Sequence, residues 1–194
     1  MDTGIFAAFS KKVINTIIAV GSMFYSTIDG ITPNMSTPDL QYKNDYILVS
    51  ASIENCYTQD LDQILFSGNI IPIYYSLELY QDGAKEADST NTFFHALQYS
   101  PLGKDFTIYF SERNETLSSL SLDQAKILFP RVTKHQVVSS NNINENTNYY
   151  IKITAWLEKI RFEGMEEDLN LLYYWNSLKP SNKSALFTKS DFQI

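Results

Sequence analysis

Between Ile71 and Leu79 every second residue is apolar (Ile71, Ile73, Tyr75, Leu77 and Leu79), and a later run sets Tyr149, Ile151, Ile153, Ala155 and Leu157 in the same step. A period of two puts such residues on one face only if the chain is an extended strand, because a helix would scatter them around its axis. Sliding either strand by one residue would turn its apolar set into water, so the pattern fixes register as well as conformation. Shorter runs repeat the signal at Ile47, Val49, Ala51 and Ile53, and again at Phe106, Ile108 and Phe110, with further strands expected over residues 93–99 and 136–139. Gln81-Asp82-Gly83 and Ser100-Pro101-Leu102-Gly103 supply turns between them, since these residue types favour tight reversals. The 13 Tyr and 12 Phe fit the same architecture, because flat side chains suit a pleated, half-buried surface.

Two short helices interrupt the strands. Residues 58–67 open on the capping candidate Thr58 and stop at Gly68, while residues 121–129 open on Ser121 and stop at Pro130, which are expected start and stop signals. Their interiors look alike: Leu61-Asp62-Gln63-Ile64-Leu65-Phe66 beside Leu122-Asp123-Gln124-Ala125-Lys126-Ile127-Leu128-Phe129. Each falls in the order strand, helix, strand, strand, which suggests an internal duplication. Met165, Leu169, Leu172 and Tyr173 predict a third helix over residues 165–178, with a strand over 169–175 as the alternative. The Asn-rich residues 141–148 predict a solvated hairpin loop. The expected fold is mainly β, with some α+β character: an antiparallel β-sandwich of about six to seven strands with two or three short helices.

Four regions follow along the chain. Lys11 and Lys12 precede a mostly apolar run over residues 13–24, the length of a secretory h-region and too short for a free-standing membrane span. Residues 1–28 therefore read as a signal peptide or N-terminal anchor, and the protein as exported: periplasmic, at the cell surface, or anchored on the outer side of the membrane. Residues 29–44 carry Pro33 and Pro38 among polar residues and read as a tether. A single β-rich domain is expected over 45–178, and a partly ordered tail over 179–194.

Charge narrows the partners. A net charge of -7 and a pI near 4.8 leave no basic cluster to displace counterions from phosphate, so nucleic acid is excluded. An anionic membrane would repel the body of the chain, which leaves contact with a membrane to the N-terminal segment alone.

The residues offer little chemistry. Cys56 is the sole cysteine and is expected to be a small buried side chain. His95 alternates with Phe93, Leu97 and Tyr99, which predicts a hydrogen-bonded core or edge histidine. Neither it nor His135 has a nucleophile motif beside it. Asp60 and Asp62 fall in the first turn of a predicted helix, where they oppose its dipole. No zinc spacing, phosphate loop or cofactor motif is present, so no catalytic, metal or cofactor residue is assigned.

One feature exceeds the bland expectation. The positions opposite the core face of the best strands are not uniformly polar: Tyr74 and Tyr80 alternate with Ser76 and Glu78, and Tyr150 and Trp156 with Lys152 and Thr154, while Tyr109 occupies an equivalent place. Aromatic rings with polar tips, interleaved with charges, suit a recognition surface. Tyr74, Tyr80, Tyr109, Tyr150 and Trp156 are the candidate binding residues, and an envelope protein or surface ligand is the expected partner. The competing and commoner arrangement is a second core layer, with helices covering this face.

The run Ile64-Leu65-Phe66-Ser67-Gly68-Asn69-Ile70-Ile71-Pro72-Ile73-Tyr74-Tyr75-Ser76-Leu77-Glu78-Leu79, followed late in the chain by Tyr149-Tyr150-Ile151-Lys152-Ile153-Thr154-Ala155-Trp156-Leu157, resembles a bacterial family known as a domain of unknown function, the 4390 type. The resemblance spans roughly residues 46–175 and departs from the family pattern toward the C-terminus. It implies an exported protein and brings no catalytic residues. A non-enzymatic binding or assembly module of the cell envelope is the expectation, with a carboxylate-dependent hydrolase acting on envelope material as the rival.

Overall fold

The computed structural model describes residues 30–162 and 167–192. The strands are β1 (Asn34–Met35), β2 (Asp39–Lys43), β3 (Tyr46–Glu54), β4 (Ile71–Gln81), β5 (Ser89–Ser100), β6 (Asp105–Phe110), β7 (Glu115–Leu120), β8 (Arg131–Ser139), β9 (Tyr149–Leu157), β10 (Lys159–Ile160), β11 (Leu169–Asn170) and β12 (Ser181–Lys183). Among the described residues two α-helices, α1 (Gln59–Phe66) and α2 (Leu122–Leu128), connect them. A large sheet of six strands runs in the order β12-β9-β4-β5-β6-β7, and every pairing in it is antiparallel. In the small sheet β3 is central, with β8 along one edge. Along the other edge β1 and β2 follow one another, and Ser36 bonds Ser52 between them. The fold is an antiparallel β-sandwich.

The alternating residues bury as their period requires. Ile71, Ile73, Tyr75, Leu77 and Leu79 of β4 point into one core with Ile151, Ile153, Ala155 and Leu157 of β9 and Ile47, Val49 and Ile53 of the small sheet. Phe93 of β5 stacks on His135 of β8 at 4.5 Å between ring centres, which joins the two layers. At about 25 cal/mol per Å² of buried apolar surface, this continuous core is the main stabilising term.

The helices are crossovers between the sheets. Thr58 caps α1 by accepting the Leu61 N–H, and Gly68, at φ +89°, takes the left-handed conformation that ends the helix. Ser121 and Gln124 cap α2 reciprocally. α1 carries the chain from the small sheet to the large one, and α2 returns it. Lys126 of α2 bonds Asp62 of α1 at 2.6 Å. The similar helical segments therefore do similar jobs, but the strands after them do not repeat. β4 and β5 form a hairpin, whereas β8 and β9 lie in different sheets.

Several expectations need correction. The segment read as a tether, residues 29–44, is part of the sandwich from Gly30 onward. It holds β1 and β2, Met35 is 1% exposed, and Asn182 of β12 donates to the Met35 carbonyl at 3.0 Å. Residues 141–148 do not close a hairpin, because they carry the chain from β8 in the small sheet to β9 in the large one, and Ile143 among them is buried. The expected third helix gives way to the short hairpin β10–β11 and a 3-10 helix, Leu171–Trp175. A 3-10 turn brings i and i+3 into line, so Leu171 and Tyr174 both bury, and Asn176 in the left-handed region stops the turn. Asp168, just before β11, pairs with Arg161 at 2.7 Å. Residues 1–29, and the Met165 at which the third helix was expected to begin, lie outside the described residues. In the C-terminal part, β12 and Phe187, which bridges to Tyr149, are integral to the fold.

Met35→Ala tests the correction to the tether. Truncating a buried Met in a packed core should cost about 2–5 kcal/mol in urea unfolding. A change within about 0.5 kcal/mol, as for an exposed site, would contradict the placement of this segment in the fold.

Candidate functional site

An antiparallel sheet that packs on one face leaves the other free to meet water. In the large sheet the free face carries the out-of-phase residues of β9, β4, β5 and β6, all of them half-buried where aromatic. Among the described residues neither α-helix lies over it, because Leu61, Ile64 and Leu65 of α1 and Ala125 of α2 point into the core. Helices among the described residues do not cover this face as a second core layer.

Register lines the rings up. Tyr74 stands directly opposite Trp156 on one side and Phe94 on the other. The Tyr74 ring stacks on Trp156 at 5.7 Å and meets Phe94 at 5.6 Å, and Phe94 meets Tyr109 at 5.8 Å. Trp156, Tyr74, Phe94 and Tyr109 thus form one aromatic row across four strands. Tyr80 and Tyr150 are opposite one another in register and stack at 5.2 Å with planes 8° apart. They lie about 20 Å from the row, at six residues of strand rise. Between the two groups the face is polar, with Glu78 bonded to Lys152 at 3.3 Å and Ser76 opposite both Thr92 and Thr154. The structure therefore brings three of the predicted residues together and sets the other two apart as a pair. Phe94 was missed, although its place between the inward residues Phe93 and His95 marks it as outward.

Because the rings face one another, they present edges and polar tips to solvent. The Trp156 Nε1–H donates to Glu158 at 3.2 Å, Tyr80 O–H to Glu78 at 3.3 Å, and Tyr109 O–H to Asn114 at 3.2 Å. Lys179 sits over the Trp156 ring at 5.5 Å and Lys183 over Tyr150 at 5.4 Å, a favourable use of the ring quadrupole. Partial burial, helped by the Glu158 charge, raises the Tyr74 hydroxyl above its ordinary pKa. Partial burial and the charge of Glu78 do the same for Tyr80.

A family model for a domain of unknown function (DUF4390) matches residues 32–161. The chain belongs to this family. No curated protein and no solved structure matches it. The DUF4390 match begins inside the segment read as a tether, in keeping with β1 and β2 being part of the fold. It ends at Arg161, well before the residue-175 limit of the resemblance, and spans every residue of the aromatic row and the Tyr80–Tyr150 pair.

Inside the DUF4390 sandwich one polar side chain acts as a fastener. His95 is wholly buried. Its Nδ1–H donates to the Phe129 carbonyl at 2.8 Å, since a carbonyl can only accept, and Nε2 meets Glu112 at 3.3 Å. The bond ties the β6–β7 turn to the end of α2. Burial alone would raise the Glu112 carboxyl. The hydrogen bond and charge of His95, a bond from the backbone and the nearby Arg113 outweigh it, and hold Glu112 below its ordinary value near 4.5. Cys56 is 5% exposed, and burial pushes its thiol up to about 12, which makes it inert as a nucleophile at neutral pH. A cavity of about 10 Å³ beside Cys56, lined also by Leu61, Ile73, Leu97 and Trp175, holds at most one water molecule. Among the described residues no group of three or more His, Cys, Asp and Glu is placed to hold a metal ion.

The depressed Glu112 carboxyl sets the sign of a pH effect. A carboxyl whose pKa falls on folding contributes stability that is present above its unfolded value and is lost as pH drops through the folded one. The stability of Glu112→Gln should therefore lie closest to that of the native chain at acid pH and fall further below it as pH rises past the ordinary carboxylate range. Thermal melts of both across that range would show the gap widening, and a gap independent of pH would contradict the lowered Glu112 carboxyl.

Proposed function

We propose that this DUF4390 chain is an exported, non-enzymatic binding or assembly module of the cell envelope, which presents the free face of its large sheet to an envelope protein or surface ligand. The observation that carries this reading is the half-exposed row Trp156–Tyr74–Phe94–Tyr109. Soluble sheets ordinarily turn polar side chains to water, and a contiguous aromatic strip rimmed by polar groups is the composition of an interface core and its rim. Strand pairing holds the row in place, so little side-chain entropy is lost when a partner covers it. Export is supported by the Lys11-Lys12 pair and the apolar residues 13–24.

The hydrolase alternative calls for two carboxylates in a cleft, one of them with a raised pKa. Among the described residues the carboxyls displaced from their ordinary values, Glu112 and Asp191, both move downward. That direction suits hydrogen-bonded structural groups and gives a general acid no support.

Tyr74→Ala and Trp156→Ala should each weaken capture of the partner from a solubilised envelope fraction by roughly 1–3 kcal/mol. Their cost in stability should be no more than about 0.5–1.5 kcal/mol, the worth of an aromatic pair. Undiminished capture by both variants would remove this face from the function. Loss of capture accompanied by global unfolding of both would show that the rings serve the fold.

A further inference from the structure

The end of the domain at which the chain enters carries a surface of its own. Gly30 is wedged against the 3-10 helix and its exit: a Cβ there would collide with the Asn176 side-chain oxygen and lie 2.7 Å from the Tyr173 carbonyl. The Ile31 N–H donates to the Tyr174 carbonyl at 3.0 Å, and Asn55 donates to the Thr32 carbonyl at 3.0 Å. The chain is thus fastened to the sandwich from its first described residues. Beside this entry point two large apolar side chains stand in the open, Tyr173 at 53% exposure and Leu178 at 44%. They flank Asn176 in sequence, and their backbone is fixed by bonds from Ser177 to Leu172 and from Leu178 to Trp175.

That fastening removes the slack between the domain and the N-terminal run. Were residues 29–44 a free tether, they could hold the domain about 55 Å away at full extension. With Gly30 docked, only residues 25–29 separate the domain from the apolar run, a reach of about 20 Å at most. Tyr is a side chain enriched where lipid meets water, because its ring is apolar and its tip is wet.

We propose that the Tyr173–Leu178 end of the domain rests against the lipid–water interface of the membrane that holds residues 13–24. This rests on reading that run as an anchor that stays in place. The face carrying the aromatic row remains free for a partner in the envelope. Neutral lipid headgroups suit the contact better than anionic ones, since the chain carries a net charge of -7.

The full chain, its N-terminal segment verified by intact mass, can be reconstituted into phosphatidylcholine vesicles doped with headgroup-nitroxide lipid. Tyr173→Cys, Leu178→Cys and Ala84→Cys each carry an environment-sensitive dye. Ala84 is exposed in the β4–β5 turn, at the far end of the strands whose near end reaches Leu157, and the unsubstituted chain, with its buried Cys56, is the labelling blank. Several-fold stronger nitroxide quenching at 173 and 178 than at 84 is expected. Weak quenching at all three sites in chains that float with the vesicles would overturn the interfacial contact and leave the anchor standing. A dye at 173 or 178 shielded from water but not quenched by nitroxide would likewise overturn it, in favour of a second protein copy. Chains that do not float at all would overturn the anchor and the contact together.

Discussion

The structure depends on the double pairing of β4. This strand is hydrogen-bonded to β5 along one edge and to β9 along the other, over nearly its whole length. With no free edge and a strict period of two, it can occupy one register, and that register decides what each neighbouring side chain faces. Tyr75 enters the core because Tyr74 does not. The inward residues of β5 and β9 are brought level with those of β4, so one continuous apolar layer forms on which the small sheet closes. The outward residues are brought level by the same bonds, which turns scattered aromatics into a row.

How far this was legible in the sequence follows from the same physics. Strands buried on one face announce themselves by alternation, and β3, β4, β6 and β9 were readable for that reason. β7 (Glu-Thr-Leu-Ser-Ser-Leu) is an edge strand with no fully buried residue, and Leu117 and Leu120, its partly buried residues, are three apart rather than two. β1 and β2 hide behind prolines and polar residues, although Met35 is a core residue. The stretch after Glu167 mixes helical spacing with aromatic content. There the left-handed Asn176 and Ser177 stop the turn before it becomes an α-helix. Local periodicity could not weigh that constraint. The outward residues could be named from phase alone, and Phe94 could have joined them. Whether helices would cover them could not be read, because cover is a property of where α1 and α2 cross between sheets.

The polar groups divide cleanly by location. Inside, His95 and Glu112 fasten the β6–β7 turn to β5 and to the end of α2, and at the partly exposed margin Lys126 of α2 pairs with Asp62 of α1. Outside, Glu78, Lys152, Glu158, Lys179 and Lys183 surround the aromatic groups, with Lys179 over the Trp156 ring and Lys183 over the Tyr150 ring. Exposed pairs of this kind add little stability, so their positions around the rings are better understood through what they leave accessible. A sandwich fastened within and open on one sheet face is the physical content of the proposed binding role.

The openness of that face can be measured through the two tryptophans of the chain. Trp175 is 1% exposed and donates to the Cys56 carbonyl, whereas Trp156 is half-buried on the free face. Acrylamide quenching of the native chain should therefore resolve an accessible and a shielded emitter, and Trp156→Phe should abolish the accessible one. If Trp156→Phe leaves the quenching unchanged, Trp156 is covered and the free face described above does not exist.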